Sequence, residues 1–315
     1  MSKCLFCYRP LKTGEKDMHP ACCEKFFGTT ALPTFDYTIR QLDRLAMQII
    51  ENKTSLTGVQ PKLSLHLKDH EGSKRLTIVG LWGGYICKPQ TSQYKMMPEI
   101  EDLTMHLAEA AHINVVPHTL MRMADDSICY LTRRIDRTPN GEKIAMEDMC
   151  QLTERQTEYK YKSSYERVGK TILKYSSLPK MDVTNYFEVV LFCWLTGNND
   201  MHLKNFSLYD VGQGICLAPA YDLLNAAIIN PKDDEELALT LNGRKKNLKR
   251  EDFIKAAQVL DIQPVVVTRL IDKYIRLQSK FEEVIKSSFL NRDLQDKYID
   301  MLKKRLNRLK QDIKA

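Results

Sequence analysis

The apolar positions change rhythm along the chain. Ile39, Leu42, Leu45, Ile49 and Ile50 recur at helical spacing. From Thr54 to Lys68 polar and apolar residues alternate instead, and Ser64-Leu65-His66-Leu67 reads as a strand. Further strands are expected over Leu76–Leu81, over Gly84–Lys88, where Pro89 ends the run, and over Ile128–Thr132. Between them Pro98 opens a helix with Ile100, Leu103, Leu107 and Ala111 as its apolar positions, followed by Val115-Val116-Pro117. From Ala145 onward the pattern is helical. Its clearest helix runs from Asp182 to Leu195, with Val183, Phe187, Val190, Leu191 and Trp194 on one face, and stops at Gly197-Asn198-Asn199. Short strands flank a hairpin at Gly212-Gln213-Gly214, and Glu251–Ala315 is almost wholly helical. Strands first and helices after predict an α+β protein of two lobes.

Composition narrows the class without naming a function. With 315 residues, 43% hydrophobic and 28% charged, the chain is long enough for two domains and ordinary for a globular protein. No apolar run approaches the roughly 20 residues of a membrane-spanning helix. The opening MSKCLFCYRP has no signal-peptide core. A cytoplasmic protein with no membrane partner is therefore expected. Forty-seven basic against 40 acidic residues give a net charge of +7, compatible with nucleotides or nucleic acid but selecting neither. The basic run Lys303, Lys304, Arg305, Arg308 and Lys310 reads as a solvated face that complements a helix C-terminus.

Nine cysteines in so long a chain, with no export signal, do not suggest a disulfide framework. Four of them crowd the N-terminus. Cys4 and Cys7 form a CxxC knuckle, and His19 with Cys22 forms HxxC. Two such short loops supply the four soft ligands of a tetrahedral zinc ion, with no position left open and hence a structural role. Cys23 is the alternative to Cys22, and Cys22 is preferred. Read without a metal, the same residues are incidental thiols of a surface segment. A segment of this size cannot bury a core of its own, so zinc would also explain how it stays folded.

The informative chemistry lies at Gly197-Asn198-Asn199-Asp200-Met201-His202-Leu203-Lys204-Asn205, with Tyr221-Asp222-Leu223 beyond the hairpin. This is the D-x-x-x-x-N … D arrangement of protein-kinase-like phosphotransferases. One carboxylate must orient and deprotonate an attacking hydroxyl, while an amide oxygen and a second carboxylate hold Mg²⁺ against phosphate oxygens. Asp200 is then the base, and Asn205 and Asp222 are the metal ligands. His202 and Lys204 either touch phosphate or steady the loop. As a bare turn, Asp and Asn would merely cap backbone groups; the downstream Asp, the buried helix before and the strand after favour chemistry. A phosphate cradle is weakly signalled by Ser55-Leu56-Thr57-Gly58-Val59-Gln60-Pro61-Lys62, which matches no standard phosphate-loop pattern. Lys88, ending a strand, could reach the α- and β-phosphates, with Glu101 on the next helix as its ion-pair partner.

Four motifs together resemble the HipA family of toxin serine/threonine kinases: SLTGVQPKLSL at 55–65, ICKP at 86–89, MEDMCQLT at 146–153, and GNNDMHLKNFSL with AYDLL at 197–208 and 220–224. The resemblance implies a bilobed protein-kinase-like fold, with a strand-rich N-lobe at 36–135 and a helical C-lobe at 136–315. The zinc-knuckle-like cap at 1–35 stands outside the pattern of the best-known members. The implied activity is ATP- and Mg²⁺-dependent phosphorylation of a protein serine or threonine. Gly58, Val59, Gln60 and Lys62 would lie over the phosphates, Lys88 would contact them, and the backbone from Arg133 to Ile135 would meet the adenine. Ser55 and Thr57 match positions that the family can autophosphorylate, which would add nearly two negative charges beside those of ATP. Glu147, Asp148 and Gln151 match a segment near the family's active site. With only some fifty residues before Ser55, the chain looks like the short, HipT-like type. That implies a HipB-like DNA-binding antitoxin, through which alone DNA would be met, and a separate HipS-like small protein. The implied substrate is an aminoacyl-tRNA synthetase. Two readings stand beside this one: a small-molecule kinase, and a catalytically inactive kinase-fold binding module.

Overall fold

The computed structural model describes residues 2–42, 44–45, 62–80, 83–138 and 140–311. Ser55, Thr57, Gly58, Val59 and Gln60 of the expected phosphate loop lie outside the described residues, as do Ile49, Ile50 and Leu81. Residues 39–42 and 44–45 are helical, as the apolar recurrence from Ile39 predicts. Two compact units divide the chain. The first comprises Met1–Asp102, Val116–Lys143 and Ser287–Phe289, and the second comprises Leu103–Val115, Ile144–Lys286 and Leu290–Ala315.

The first unit is built on five antiparallel strands: β1 (Leu63–His70), β2 (Ser73–Val79), β3 (Tyr85–Pro89), β4 (His118–Arg122) and β5 (Ile128–Arg133), in the order β2-β1-β3-β5-β4. The β1–β2 hairpin turns on Glu71 and Gly72, both with positive φ (48° and 78°), the two-residue geometry that follows the twist of paired strands. Pro89 ends β3, where its missing N–H costs no ladder bond further along. β4 was not expected from the sequence. Its His118 and Thr119 are polar yet fully buried, which erases the alternation that marks a strand. His118 is accommodated because its Nδ1 lies 2.8 Å from Asp102 Oδ1, which sits on α2 (Met97–Ala110).

The N-terminal segment completes this sheet. Leu5, Phe26, Phe27 and Phe35 share one apolar cluster with Leu63, Leu65, Leu76, Cys87, Leu120 and Leu131; Phe26 and Phe27 belong to α1 (Pro20–Phe27). The segment also reaches both outer strands. Thr34 exchanges backbone bonds with β2 (Thr34 N to Lys74 O, 3.0 Å; Leu76 N to Thr34 O, 2.9 Å), and the Leu120 amide of β4 donates to Leu5 O at 3.4 Å. Edge strands with unpaired amides are templates for aggregation, and here both are engaged.

The second unit is mainly helical: α3 (Tyr165–Tyr175), α4 (Pro179–Thr196), α5 (Arg250–Val259), α6 (Pro264–Ser287) and α7 (Arg292–Gln311). α4 is apolar nearly all round and is its core, with Val183, Phe187, Val190, Leu191, Phe192, Trp194 and Leu195 all buried. It starts at Pro179, three residues before the expected start, because proline is pre-organised for the first helical position. Phe192 meets Tyr274 and Phe281 of α6 at ring centroid distances of 6.3 and 6.5 Å. The helical pattern expected from Ala145 is corrected at Met146–Asp148. These residues form β6, which pairs with β7 (Ser207–Asp210), and β7 pairs in turn with β8 (Ile215–Leu217). Three residues are too few to show a period, so only their partner strand defines them.

The basic run near the end of α7 is the solvated face expected of it only in part: Lys304 is exposed, but the two arginines are drawn against Trp194. Arg305 is buried and lies over the Trp194 ring at 5.5 Å, and Arg308 lies over the same ring at 5.2 Å while pairing with Glu236. Burial pushes the Arg305 guanidinium down to about 10. No described helix is long and apolar enough to cross a membrane.

Candidate active site

In the second unit, α4 ends at Gly197, whose left-handed backbone (φ 79°) lets its N–H bond back to the last helical turn. A side chain there would also run into Asn225 Oδ1 at 2.6 Å, so the turn needs glycine. The chain then enters the Asp200–Asn205 loop. Asn198, fully buried, holds two segments at once: its Oδ1 accepts from the Asp200 amide at 3.2 Å, and its Nδ2 donates to Asp222 O at 3.5 Å. Asn205 Nδ2 donates to Asp200 O at 3.0 Å. That bond uses the amide nitrogen, so Oδ1 is the atom of Asn205 suited to a cation.

Tyr221 makes a second tie. Its Oη lies 2.6 Å from Ser207 Oγ and donates to Lys204 O at 3.1 Å, which fixes the start of the Tyr221-Asp222 segment beside the loop. Asp222 itself has φ 57°, a left-handed conformation that aspartate tolerates better than most residues. The Asp200 carboxylate receives a hydrogen bond from the Tyr161 hydroxyl at 2.5 Å, and Tyr161 is 42% exposed.

His202 and Lys204, between the two candidate residues, are both engaged in the loop. Lys204 Nζ lies 2.6 Å from Asp148 Oδ2, and Asp148 caps a one-turn helix at Met149–Leu152 in a reciprocal box with Gln151. The MEDMCQLT segment is thus a strand and cap that brace the loop's end, with Met149 N donating to Phe206 O at 2.9 Å. His202 is buried against the edge of Tyr161, ring centroids 4.9 Å apart, and burial pushes its imidazole down to about 4 against the opposing pull of Asp200. The ring is therefore neutral at pH 7. Between pH 6.5 and 4 the unfolded chain takes up a proton that the folded ring refuses, so acidification over that window destabilises the fold. The expected loss between pH 7 and pH 5 is about 2 kcal/mol from this group. Urea midpoints at the two pH values should show a smaller drop for His202→Gln than for the parent, and equal drops would remove His202 as the cause.

In the first unit, Lys88 and Glu101 form the pair expected of them. Lys88 Nζ lies 2.5 Å from Glu101 Oε1, with the two side chains only 4% and 2% exposed, and the ammonium lies 5.5 Å from the Tyr130 ring centroid. Lys62 is exposed just ahead of β1. The Arg133 side chain donates to Phe26 O and lies over the Phe26 ring, while its amide donates to Pro117 O at 2.9 Å. Arg134 grips Asp136 through two bonds of 2.8 and 2.6 Å, and Ile135 between them is half-buried.

The N-terminal candidates converge as well. One ligand atom from each of Cys4, Cys7, His19 and Cys22 lies within 4.8 Å of all the others. His19 Nδ1 is 3.4 Å from Cys7 Sγ and 3.6 Å from Cys22 Sγ. Cys23, the alternative ligand, is turned into the core beside Phe26.

Three contributors to the site escaped the sequence reading. Asn198 reads from the sequence only as part of a turn, although a second amide beside Gly197 is a signal that the turn is held from within. Tyr221 directly precedes Asp222 and could have been noticed for that reason. Tyr161 sits 39 residues before Asp200 in a segment without periodicity, and no local signal points to it.

Comparison with known proteins agrees with the motif reading. The family model of the HipA-like C-terminal domain matches residues 54–284. A Haemophilus influenzae protein named "Putative kinase" is 24% identical over 280 residues, which are 80% of this chain and 80% of that protein. "Putative kinase Y4mE" of Sinorhizobium fredii is 29% identical over 263 residues, 79% of this chain and 59% of that protein. Among solved structures, the chain resembles one from the Shewanella oneidensis toxin–antitoxin complex of HipA, HipB and operator DNA. The TM-score is 0.69 at 21% identity, covering 84% of this chain and 70% of that one. The Helicobacter pylori proinflammatory kinase CtkA gives a TM-score of 0.52 at 14% identity, covering 78% of this chain and 93% of its own. These two likenesses are of fold. The matched family span takes in Lys88, Asp200, Asn205 and Asp222 alike, and the chain belongs to the HipA-like C-terminal domain family.

Proposed function

We propose that this protein is an ATP- and Mg²⁺-dependent kinase that phosphorylates a serine or threonine hydroxyl. The observation that carries the reading is the double tie of Asn198 and Tyr221, which binds the Asp200–Asn205 loop to the Asp222 segment. Asn205 Oδ1 and the Asp222 carboxylate are hard oxygen donors on those two segments, a donor set that fits Mg²⁺. Bound Mg²⁺·ATP would supply the γ-phosphoryl group and offset the charge on its oxygens. Asp200 would take the proton of the attacking hydroxyl at its carboxylate while the new O–P bond forms and ADP leaves. Lys88, held by Glu101, would meet the α- and β-phosphates. Ser55–Lys62 would cover them, and the Arg133–Ile135 backbone would face the adenine. His202 and Lys204 steady the loop in this reading, since one is neutral and the other is paired with Asp148.

The toxin role is the finer part of the proposal. The fold likeness to a chain of a HipA–HipB–operator complex supports a HipB-type DNA-binding antitoxin as partner. A separate HipS-like protein and an aminoacyl-tRNA synthetase substrate extend the same reading.

The test is intact mass before and after incubating phosphatase-treated protein with ATP and Mg²⁺. Phosphate gained by the parent, absent from Asp200→Asn and mapped to Ser55 or Thr57, is the expected result. No gain together with no ATP binding would sink the reading in favour of a binding module. Asp222→Ala is expected to weaken ATP binding at least about tenfold in Mg²⁺, about 1.4 kcal/mol, and to leave binding without Mg²⁺ unchanged. Titration calorimetry with and without the ion reads this directly, and equal affinities in Mg²⁺ would remove Asp222 as a ligand.

A further inference from the structure

We propose that Cys4, Cys7, His19 and Cys22 form a closed tetrahedral zinc site, and that the metal pins the N-terminal segment to the outer edge of β4. The site does not depend on the kinase reading. In a tetrahedral zinc site, with Zn–S about 2.3 Å and Zn–N about 2.0–2.1 Å, a sulfur and a nitrogen ligand stand about 3.5 Å apart. The two sulfur–nitrogen distances here are 3.4 and 3.6 Å, both to Nδ1 of His19. The other ring nitrogen, Nε2, lies 3.0 Å from Pro10 O. A proton on Nε2 donated to that carbonyl leaves the Nδ1 lone pair facing the sulfurs, as outer-sphere partners of zinc-bound histidines do.

The backbone is arranged to match. Cys4 and Cys7 sit on a tight turn in which the Tyr8 amide donates to Cys4 O at 3.0 Å, Tyr8 has φ 61°, and Cys4 N donates to Arg9 O at 2.9 Å. His19 is the N-cap of α1 and Cys22 lies in its first turn, so the helix fixes the second pair at one end. Binding releases one proton from each of three thiols to solvent and leaves the site with a net charge of −1, with all four positions filled by protein. A disulfide between any two of these cysteines would leave the third sulfur and the oriented histidine without a purpose.

The zinc loop reaches the sheet through Leu5, between the first two ligands. Its carbonyl accepts the Leu120 amide and the Thr119 hydroxyl of β4, each at 3.4 Å, and its amide donates to Asp17 O at 2.7 Å. Asp17 Oδ1 in turn accepts from Arg122 Nε of the same strand at 2.8 Å. The metal thus closes a clip whose backbone occupies the outer side of β4.

The full chain, purified and desalted from zinc-containing buffer, is expected to carry about one equivalent of zinc. Refilled with Co²⁺, it should show thiolate-to-metal charge transfer and the strong visible bands of a tetrahedral ion. Cys22→Ser should lose the metal and Cys23→Ser should keep it. No retained zinc, weak octahedral cobalt bands, or the reverse pattern in the two variants would each overturn the site. Where Cys22→Ser does not fold, the parent decides the matter by alkylation. Cys4, Cys7 and Cys22 should resist iodoacetamide until a chelator is added, and labelling indifferent to the chelator overturns the proposal. Amide exchange tests the clip itself: chelation should speed exchange at Leu120 at least about tenfold and leave Val190 of α4 unchanged. Unchanged exchange at Leu120 would overturn the clip.

Discussion

Asp200→Asn is expected to lower the rate of phosphoryl transfer about 10²- to 10⁴-fold, the range attributable to a positioned general base, with ATP binding nearly unchanged. The substitution is a clean one here because the loop is held through the main chain of Asp200. Its amide is bound by Asn198 Oδ1 and its carbonyl by Asn205 Nδ2, and neither bond involves the carboxylate. The new amide oxygen can still accept the Tyr161 hydroxyl, so the side chain keeps its place. What is lost is the ability to take a proton at neutral pH. Single-turnover transfer to a peptide or to the protein itself, beside nucleotide affinity by calorimetry, separates chemistry from binding. Transfer at the parent rate would remove Asp200 as the base. A matching loss of ATP affinity would instead point to a collapsed loop.

The second large effect concerns the buried ion pair of the first unit. Lys88→Met and Glu101→Leu are each expected to destabilise the fold by about 3–5 kcal/mol, the usual result of breaking one side of a buried pair. Lys88 and Glu101 are almost fully enclosed, so the charge left behind is shielded from water. The double variant Lys88→Met/Glu101→Leu removes both charges and should recover most of the loss. Urea denaturation of the four proteins gives the coupling. Single effects that simply add, within about 0.5 kcal/mol, would show that the two groups do not depend on each other. A kinase needs the lysine for phosphate, so the double variant should be stable and nevertheless bind ATP poorly. That combination distinguishes a functional pair from a structural one.

Much of this architecture could be read from local sequence, and the parts that could not share a physical cause. α4 announces itself because eighteen consecutive residues carry a dense apolar pattern and a glycine stop. The strand lysine and its acidic partner were legible because a proline and a helix start bracket them. By contrast, β4 hides because Asp102, sixteen residues away, lets His118 be buried. β6 is invisible without β7, more than fifty residues later. Asn198 and Tyr221 act by reaching across the chain, and a bond between distant segments leaves no period behind. The same limit held for Arg305 and Arg308, whose charge suggested water while Trp194 and Glu236 offered a better environment. Ser55, Thr57, Gly58, Val59 and Gln60 lie outside the described residues, and their role rests on the motif.

The two units are interleaved along the chain, and this bears on how the protein is made. Residues after position 286 are needed by both. Lys3 Nζ donates to the carbonyls of Ser287 and Ser288, each at 2.7 Å, and Tyr8 meets Phe289 edge-on at 5.4 Å, all within the first unit. In the second, Thr104 Oγ1 lies 3.1 Å from Tyr298 Oη, across 194 residues. During synthesis at about 5–20 residues per second, neither unit can close its native contacts until this distal stretch has left the ribosome. Both units therefore reach their full set of native contacts late, and neither is complete while this distal stretch is still being translated.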